Sequence, residues 1–176
     1  MASLAELVSA ISPRPPRGPR NIHTKFTGER IHVAAVCYRL RDSEPEFLLV
    51  RTRSGRWTFP KGGVDGDATH AAAAAREAYE EAGVKGQIAR KPFHWYFHSK
   101  RERLKSPRSV VAVQAHLCKV ERLEPPKEDH RNPTWFNVDK ARRRLRENRS
   151  PELAREVIQV LDLAIPRILS GTLRVA

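Results

Sequence analysis

The sequence has little cysteine, few acidic residues and no long apolar run, and each shortage excludes a class of protein. Only two of its 176 residues are cysteines, which is too few for the disulfide framework of a small secreted protein. No stretch approaches the roughly 18 consecutive apolar residues of a membrane-spanning helix, and the first residues lack the basic start of a signal peptide. We therefore expect a cytoplasmic protein in which Cys37 and Cys118 are buried thiols.

The shortage of acidic residues is uneven along the chain. The 33 lysines and arginines exceed the 20 aspartates and glutamates, so the net charge is +13. Residues 85–149 contain 18 basic and seven acidic residues, whereas residues 62–84 contain one basic and five acidic residues. An excess of this size indicates a polyanionic partner, whether a polyphosphate compound, a nucleic acid or an anionic membrane surface.

The pattern of apolar and turn residues predicts a mixed α/β fold with a partly antiparallel sheet. Residues 1–28 are predicted to form a short helix and an extended arm rich in proline and arginine, and residues 29–170 to form the main domain. A loop is expected at 60–63 and a basic hairpin loop at 100–108. Strands are predicted at 31–41, 46–51, 57–59, 87–98, 109–120 and 135–136, and helices at 68–82, 139–148 and 151–169.

The acidic segment carries a pattern typical of a metal site. Glu77, Glu80 and Glu81 lie three and four residues apart, so they share one face of the predicted helix, while its alanines form a smooth face for packing. Like charges on one face repel each other, and Mg²⁺ offsets this repulsion because it prefers carboxylate oxygens. The two glycines of the preceding loop allow backbone groups to approach a metal or phosphate closely. Such a unit could hold metal ions and a diphosphate while a glutamate activates water.

The segment from Gly62 to Val84 resembles the Nudix box, whose pattern is G-x5-E-x7-R-E-U-x-E-E-x-G-U, with U a bulky aliphatic residue. Two positions depart from it, because Ala68 replaces the first glutamate and Ala78 replaces the bulky aliphatic residue. The resemblance covers about residues 30 to 165 and implies the Nudix α/β/α sandwich, in which a mixed β-sheet lies between helices. Seven of the nine fixed positions match, namely Gly62, Arg76, Glu77, Glu80, Glu81, Gly83 and Val84.

The resemblance implies a hydrolase that depends on Mg²⁺ or Mn²⁺ and cleaves a diphosphate linkage. By position in the box, Glu80 and Glu81 are metal ligands, and Glu77 is a ligand or the base that activates water. Arg76 forms an ion pair that orients these glutamates. All four residues are therefore the predicted catalytic residues.

The same resemblance implies two further metal ligands and the loss of one carboxylate. A backbone carbonyl near Gly62 is expected to complete a metal shell, and a carboxylate from outside the box is expected to join it. Glu128 is the candidate for that carboxylate, with Asp129 beside it. Because Ala68 lacks a carboxylate, we expect retained activity with a reduced rate or an altered metal demand.

Basic residues near the box are the candidates for binding substrate phosphates. They are Lys61, Arg51 and Arg53 beside the box, and Lys100, Arg101 and Arg103 in the basic loop. With these features the chain is similar to the diadenosine polyphosphate and diphosphoinositol polyphosphate hydrolases of the family, which implies a polyphosphorylated small molecule as substrate.

Two alternatives stay open at this point. One is a pyrophosphohydrolase of nucleoside triphosphates or 5′-capped RNA, and the other is a non-catalytic nucleic-acid-binding protein on the same scaffold. Nucleic acid is not favoured, because the sequence has no RRM, KH or helix-turn-helix signature. We expect no membrane partner. Members of the family are often dimers, so the resemblance also leaves a homodimer open.

Overall fold

The structure is a computed structural model that describes residues 31–64, 66–67, 69–100, 109–171 and 173. The predicted arm of residues 1–28 and residues 101–108 of the basic loop lie outside these ranges. The strands are β1 (His32–Arg41), β2 (Glu44–Arg51), β3 (Trp57–Thr58), β4 (Lys61–Gly63), β5 (Val84–Ile88), β6 (His94–Lys100), β7 (Ser109–Leu123) and β8 (Thr134–Asn137). The helices are α1 (His70–Ala82), α2 (Val138–Arg146) and α3 (Pro151–Leu169), and a 3₁₀ turn covers Asp129–Arg131.

The strands join into one mixed sheet. Its main path runs β3-β2-β1-β7-β5, while β4 pairs with β1, β6 with β7 and β8 with β2. The central strands β1 and β7 run parallel to each other, and the remaining pairs are antiparallel. The partly antiparallel sheet predicted from the sequence is therefore confirmed.

Alternation along β1 sends its side chains into two separate cores, because successive residues of a strand point to opposite faces. Val33, Ala35 and Cys37 pack with the alanines of α1. Ala34 and Val36 pack on the other face with apolar residues of α2 and α3. The sheet thus lies between helices, which confirms the predicted α/β/α sandwich.

Helix α1 lies close to the sheet because its inner face consists of small side chains. Ala71, Ala73, Ala74, Ala78 and Ala82 are all buried. The helix begins at the N-cap Thr69, whose hydroxyl accepts a hydrogen bond from the Ala72 N–H at 3.0 Å. The N-cap and the close packing together fix how far the glutamates of the helix stand from the sheet.

Two of the predicted elements are wrong at their boundaries. Residues 61–63 form strand β4 rather than a loop, because their backbone pairs with that of His32–Ala34 in β1. The strand predicted at 87–98 is two strands, β5 and β6, both antiparallel to β7. The break contains Arg90, Lys91 and Pro92. The N–H groups of Ala89 and Phe93 still bond to carbonyls of β7 on either side of it, so both strands stay attached to β7.

Both cysteines are buried free thiols, as predicted. Cys37 of β1 and Cys118 of β7 face each other in the register of the parallel pair, inside the core beneath α1. Among the helices of the described residues, none is long and apolar enough to cross a membrane.

Gly83 ends α1 in a position that no other residue fits, which gives a first testable prediction. Its φ is +67°, and a Cβ there would lie 1.7 Å from the backbone oxygen of Glu124. We expect Gly83→Ala to lower the free energy of unfolding by roughly 3 kcal/mol, because strain and a backbone clash add. Gly171, with φ +68° and open space around it, is the matched control and should lose only about 1 kcal/mol. Urea denaturation of both variants measures the difference, and equal losses would contradict the clash.

Candidate active site

The guanidinium of Arg76 contacts three acidic side chains of the site, those of Asp67, Glu77 and Glu80. Its Nη1 lies 2.7 Å from Glu77 Oε1 and 3.2 Å from Glu80 Oε2. Its Nε and Nη2 lie 3.1 and 3.0 Å from Asp67 Oδ2, and Nη2 also donates to the carbonyl of Gly63 at 3.0 Å. The predicted ion pair of Arg76 with the box glutamates is therefore present, and Asp67 is an additional partner that the sequence did not reveal.

Glu77 lies directly against the backbone of β4. A Cβ on Gly62 would come within 2.3 Å of the Glu77 carboxylate, so only glycine leaves room for that side chain in this position. Burial raises the pKa of Glu77, against the lowering effect of Arg76, and the charges of Glu80 and Glu128 raise it further. The partly buried carboxylate of Glu77, next to the glycine backbone of β4, is a suitable oxygen donor for a cation.

Glu81 is the buried member of the cluster, with a side chain only 3% exposed. Its Oε2 accepts a hydrogen bond from the backbone N–H of Lys61 at 3.2 Å, and its Oε1 lies 2.5 Å from Nη2 of Arg131. Burial raises the pKa of Glu81 to about 7, although the positive charges of Arg131 and Lys61 oppose this shift. Burial likewise lowers the pKa of the Lys61 ammonium to about 8.

Glu80 is more exposed than Glu81, so the glutamates that the helical spacing predicts on one face lie in different environments. Its Oε1 lies 3.1 Å from the ammonium of Lys127, on the segment that follows β7. The hydrogen bond from Lys127, with a further one from Arg76, lowers the pKa of Glu80. The inward turn of Glu81 arises because the helix presents one side to the sheet and the other to solvent.

The predicted carboxylate from outside the box lies next to the cluster. The Glu128 N–H donates to the backbone carbonyl of Glu80 at 3.0 Å, which fixes the 3₁₀ turn against α1. The Glu128 carboxylate lies 2.6 Å from Nε of Arg131, and the same guanidinium reaches Glu81. Arg131 therefore bridges a box glutamate and Glu128.

The chemistry of these groups fits a hard divalent cation, since they supply several carboxylate oxygens and the carbonyl of Gly63 beside them. Within the described part of the chain, however, no three acidic, histidine or cysteine side chains converge tightly enough to hold a metal ion. Their oxygens are instead paired with Arg76, Lys127 and Arg131. Binding of a metal requires some of these ion pairs to open.

Two of the predicted phosphate-binding arginines lie at an open cavity next to the 3₁₀ turn. The cavity has a volume of about 540 Å³ and is lined by Arg51, Thr52, Arg53, Gly55, His130 and Asn132. His130 adjoins Arg131 in the turn, so this basic surface neighbours the carboxylate cluster. Of the other predicted phosphate-binding residues, Lys61 lies in β4 with its N–H bonded to Glu81. Arg101, Arg103 and the side chain of Lys100 lie outside the described residues.

A second group of basic residues surrounds Lys61 and was missed by sequence reasoning. Arg149 donates to the backbone carbonyls of Trp57 and Leu145 at 2.6 and 2.7 Å, and burial lowers its pKa to about 10, with Arg56 adding to the shift. Arg56 and Arg149 line the same small cavity. Burial is the main cause of the lowered pKa of Lys61, and the positive charges of Arg131, Arg149 and Arg56 lower it further.

Among the described residues, one polar group without a partner lies at the small cavity beside Arg149. Arg56 and Arg149 line a small cavity together with Tyr96 and His98. The buried hydroxyl of Tyr96 has no hydrogen-bond partner in the described structure. No local motif marks this cluster, because Arg149 precedes α3 and meets Trp57 of β3 only through the tertiary fold.

Comparison with known proteins agrees with this geometry. A family model described as the NUDIX domain matches residues 30–158, so the chain belongs to the Nudix hydrolase family. It is 31% identical over 151 residues to Nudix hydrolase 4 of Arabidopsis thaliana, covering 80% of this chain and 70% of that protein. It is 34% identical over 116 residues to the human diphosphoinositol polyphosphate phosphohydrolase 3-beta, covering 65% and 68% respectively. A hydrolase acting on pyrophosphate bonds follows from this membership.

Solved structures share the fold at lower sequence identity. An Ap4A hydrolase of C. elegans matches with a TM-score of 0.55 and 22% identity, over 81% of this chain and 98% of that one. A Nudix hydrolase of Nitrosomonas europaea matches with a TM-score of 0.57 and 19% identity, over 83% and 91%. These likenesses confirm the sandwich architecture.

The contact between Gly62 and Glu77 predicts the effect of a single methyl group. Gly62→Ala places a Cβ where the Glu77 carboxylate lies, so the side chain must move while the backbone stays. We expect hydrolysis of diphosphate compounds to fall about 10- to 100-fold, with a melting temperature lowered by no more than about 4 °C. Steady-state kinetics and thermal unfolding test this together. Full activity would show that the position of Glu77 does not matter for turnover.

Proposed function

We propose that this chain is a Mg²⁺- or Mn²⁺-dependent pyrophosphohydrolase of highly phosphorylated small molecules, of the diphosphoinositol polyphosphate or dinucleoside polyphosphate type. The observation that carries the proposal is the position of four carboxylates, on Glu77, Glu80, Glu81 and Glu128, beside positively charged surfaces. The names of the human relative and of the C. elegans neighbour support this class of substrate.

The metal would be held by these four carboxylates together with a backbone carbonyl at Gly62 or Gly63. A bound divalent cation supplies positive charge to the diphosphate and lowers the pKa of a coordinated water. For the carboxylates to become available, Lys127 and Arg131 must release them. Lys127 is 61% exposed, so returning its ammonium to water costs little.

Arg76 and Glu77 have distinct roles in this proposal. Glu77 is a metal ligand or the base that takes a proton from the attacking water, and its burial suits proton transfer because it raises the pKa of the carboxylate. Arg76 holds Glu77 and Glu80 in a fixed relation through its rigid guanidinium. Glu80 and Glu81 act as metal ligands.

Substrate phosphates would be bound by the basic residues on two sides of the carboxylates. Arg51 and Arg53 offer charge-assisted hydrogen bonds at the open cavity. Lys61 offers positive charge on the side of β4, and the charge of Arg149 acts on the same ammonium group. Lys100, Arg101 and Arg103 stay predicted contacts from the basic loop. A substrate with phosphates spread over its surface uses several such sites at once.

Three predictions about the whole chain stay part of this proposal. Residues 29–170 form the hydrolase domain and residues 1–28 an arm outside it. The protein is cytoplasmic, an expectation that rests on its cysteine content. The proposal includes a homodimer, because members of the family are often dimers.

A substrate panel tests the proposed class. Purified protein is incubated with Mg²⁺, with Mn²⁺ or with a chelator, and with diphosphoinositol polyphosphates, diadenosine polyphosphates, nucleoside triphosphates and 5′-capped or triphosphorylated RNA. We expect turnover only with metal and fastest on the first two classes. Preference for nucleoside triphosphates or RNA would replace the substrate proposed here. Salt-dependent RNA binding without any hydrolysis would indicate the nucleic-acid-binding alternative.

Neutralising a metal ligand should abolish turnover. Glu80→Gln and Glu81→Gln keep the shape of the side chain but remove a charged oxygen donor, so we expect activity to fall at least about 100-fold in each. Glu124 is a partly exposed acidic residue paired with Arg122, so Glu124→Gln is the matched control and should retain wild-type rates. Thermal unfolding of Glu81→Gln separates lost chemistry from the loss of a buried ion pair. Full activity in both site variants would contradict the mechanism.

The cavity arginines should affect substrate binding more than chemistry. We expect Arg51→Ala with Arg53→Ala to raise KM about tenfold on a polyphosphorylated substrate, since each charge-assisted hydrogen bond contributes about 1.5–3 kcal/mol at most. The value of kcat should change little. Arg155→Ala removes an exposed arginine of α3 with only a 3.9 Å contact to Glu152 and serves as the control. An unchanged KM in the double variant would remove this cavity from the substrate site.

A further inference from the structure

The box position at which the family has its first glutamate is Ala68, so this chain lacks a carboxylate there. The residue immediately before it, Asp67, carries a carboxylate that the box pattern leaves unspecified. Sequence reasoning gave Asp67 no role, because a single aspartate in a turn ahead of a helix is common.

In the structure, Asp67 is the anion that holds one side of the Arg76 guanidinium. Its Oδ2 lies 3.1 Å from Nε and 3.0 Å from Nη2, the two nitrogens on the same edge of the planar group. The Asp67 side chain is only 15% exposed, so water competes little for this contact. The hydrogen bond from Arg76 to Asp67 is also the largest cause of the raised pKa of Arg76.

The opposite edge of the same guanidinium contacts the box glutamates. Nη1 lies 2.7 Å from Glu77 and 3.2 Å from Glu80, and Nη2 is shared with the carbonyl of Gly63. Because the guanidinium is planar and rigid, fixing its Nε edge also fixes the direction of Nη1. Asp67 therefore acts on Glu77 and Glu80 through Arg76, although its carboxylate has no described contact with either.

We propose that Asp67 is a positioning residue for the catalytic glutamates, and that it replaces, from one residue earlier in the chain, the carboxylate missing at Ala68. The inference rests on the proposed function, since it concerns the same carboxylate cluster. It explains how Arg76 can hold the glutamates in a box that lacks its first glutamate.

The test compares Asp67→Asn with a matched control. Asparagine keeps the size of the side chain but removes the charge that binds the guanidinium. We expect kcat to fall about 10- to 100-fold with KM changed less than about threefold, and Mn²⁺ affinity of the free protein, measured by calorimetry, to fall about tenfold. Asp162→Asn breaks an ion pair of the same type with Arg142, far from α1, and should leave all three quantities unchanged.

A rescue experiment separates positioning from general stability. Asp67→Ala should lose activity and Mn²⁺ affinity, and adding Ala68→Glu to that variant should restore a large part of both. A fall in melting temperature that alone accounts for the loss, or a failure of Ala68→Glu to restore anything, would overturn the proposal. So would wild-type kcat and Mn²⁺ affinity in Asp67→Asn.

The metal-binding measurement also distinguishes this inference from the proposed function. If the wild-type protein hydrolyses no member of the substrate panel, the proposed function fails, yet the affinity of Asp67→Asn for Mn²⁺ still tests whether Asp67 positions the glutamates. If hydrolysis occurs but Asp67→Asn matches the wild type in both readouts, only the positioning role fails.

Discussion

The site depends on cations and hydrogen-bond donors that compensate the negative charge of its carboxylates. These carboxylates lie between α1, β4 and the 3₁₀ turn. Removing an ionised carboxylate from water costs several kcal/mol unless cations and hydrogen bonds replace its hydration. Glu81 is almost wholly buried and meets this condition through Arg131 and the N–H of Lys61. Two of the cations compensate more than one acid. Arg131 pairs with Glu128 as well as Glu81, and Arg76 pairs with Asp67 and with two glutamates of its own helix. These ion pairs join three separate segments of the chain.

The same requirement gives the net charge of +13 a spatial meaning. Positive groups lie on two sides of the acidic cluster, at the cavity of Arg51 and Arg53 and around Lys61 and Arg149. Under the proposed function, divalent cations replace some of the ion pairs within the cluster and make it attractive to phosphate as well. The surrounding arginines are then free to bind the outer phosphates of the substrate.

Helix α1 could be predicted because its signals are local. Thr69 caps it, Gly83 ends it with a left-handed conformation, and the alanines between them form its buried face. Strand β4 could not be predicted, because its three residues are held by pairing with β1 rather than by their own preferences. The break between β5 and β6 has a local signal in Arg90, Lys91 and Pro92, but the prediction ran one strand through it. Both strands pair with β7, and that pairing is decided by the tertiary fold.

The sequence by itself indicated the family, the sandwich and the box glutamates, because the resemblance rests on a motif contained in one continuous segment, Gly62 to Val84. The helical period of 3.6 residues adds that Glu77, Glu80 and Glu81 share one side of that helix. The tertiary structure alone decided that Glu81 is buried while Glu80 is only partly buried, and that Asp67 binds Arg76. It also decided that Arg149 donates a hydrogen bond to the carbonyl of Trp57, which lies 92 positions earlier in the chain. Such long-range contacts depend on how strands pair and helices dock, and periodicity along the chain does not specify either.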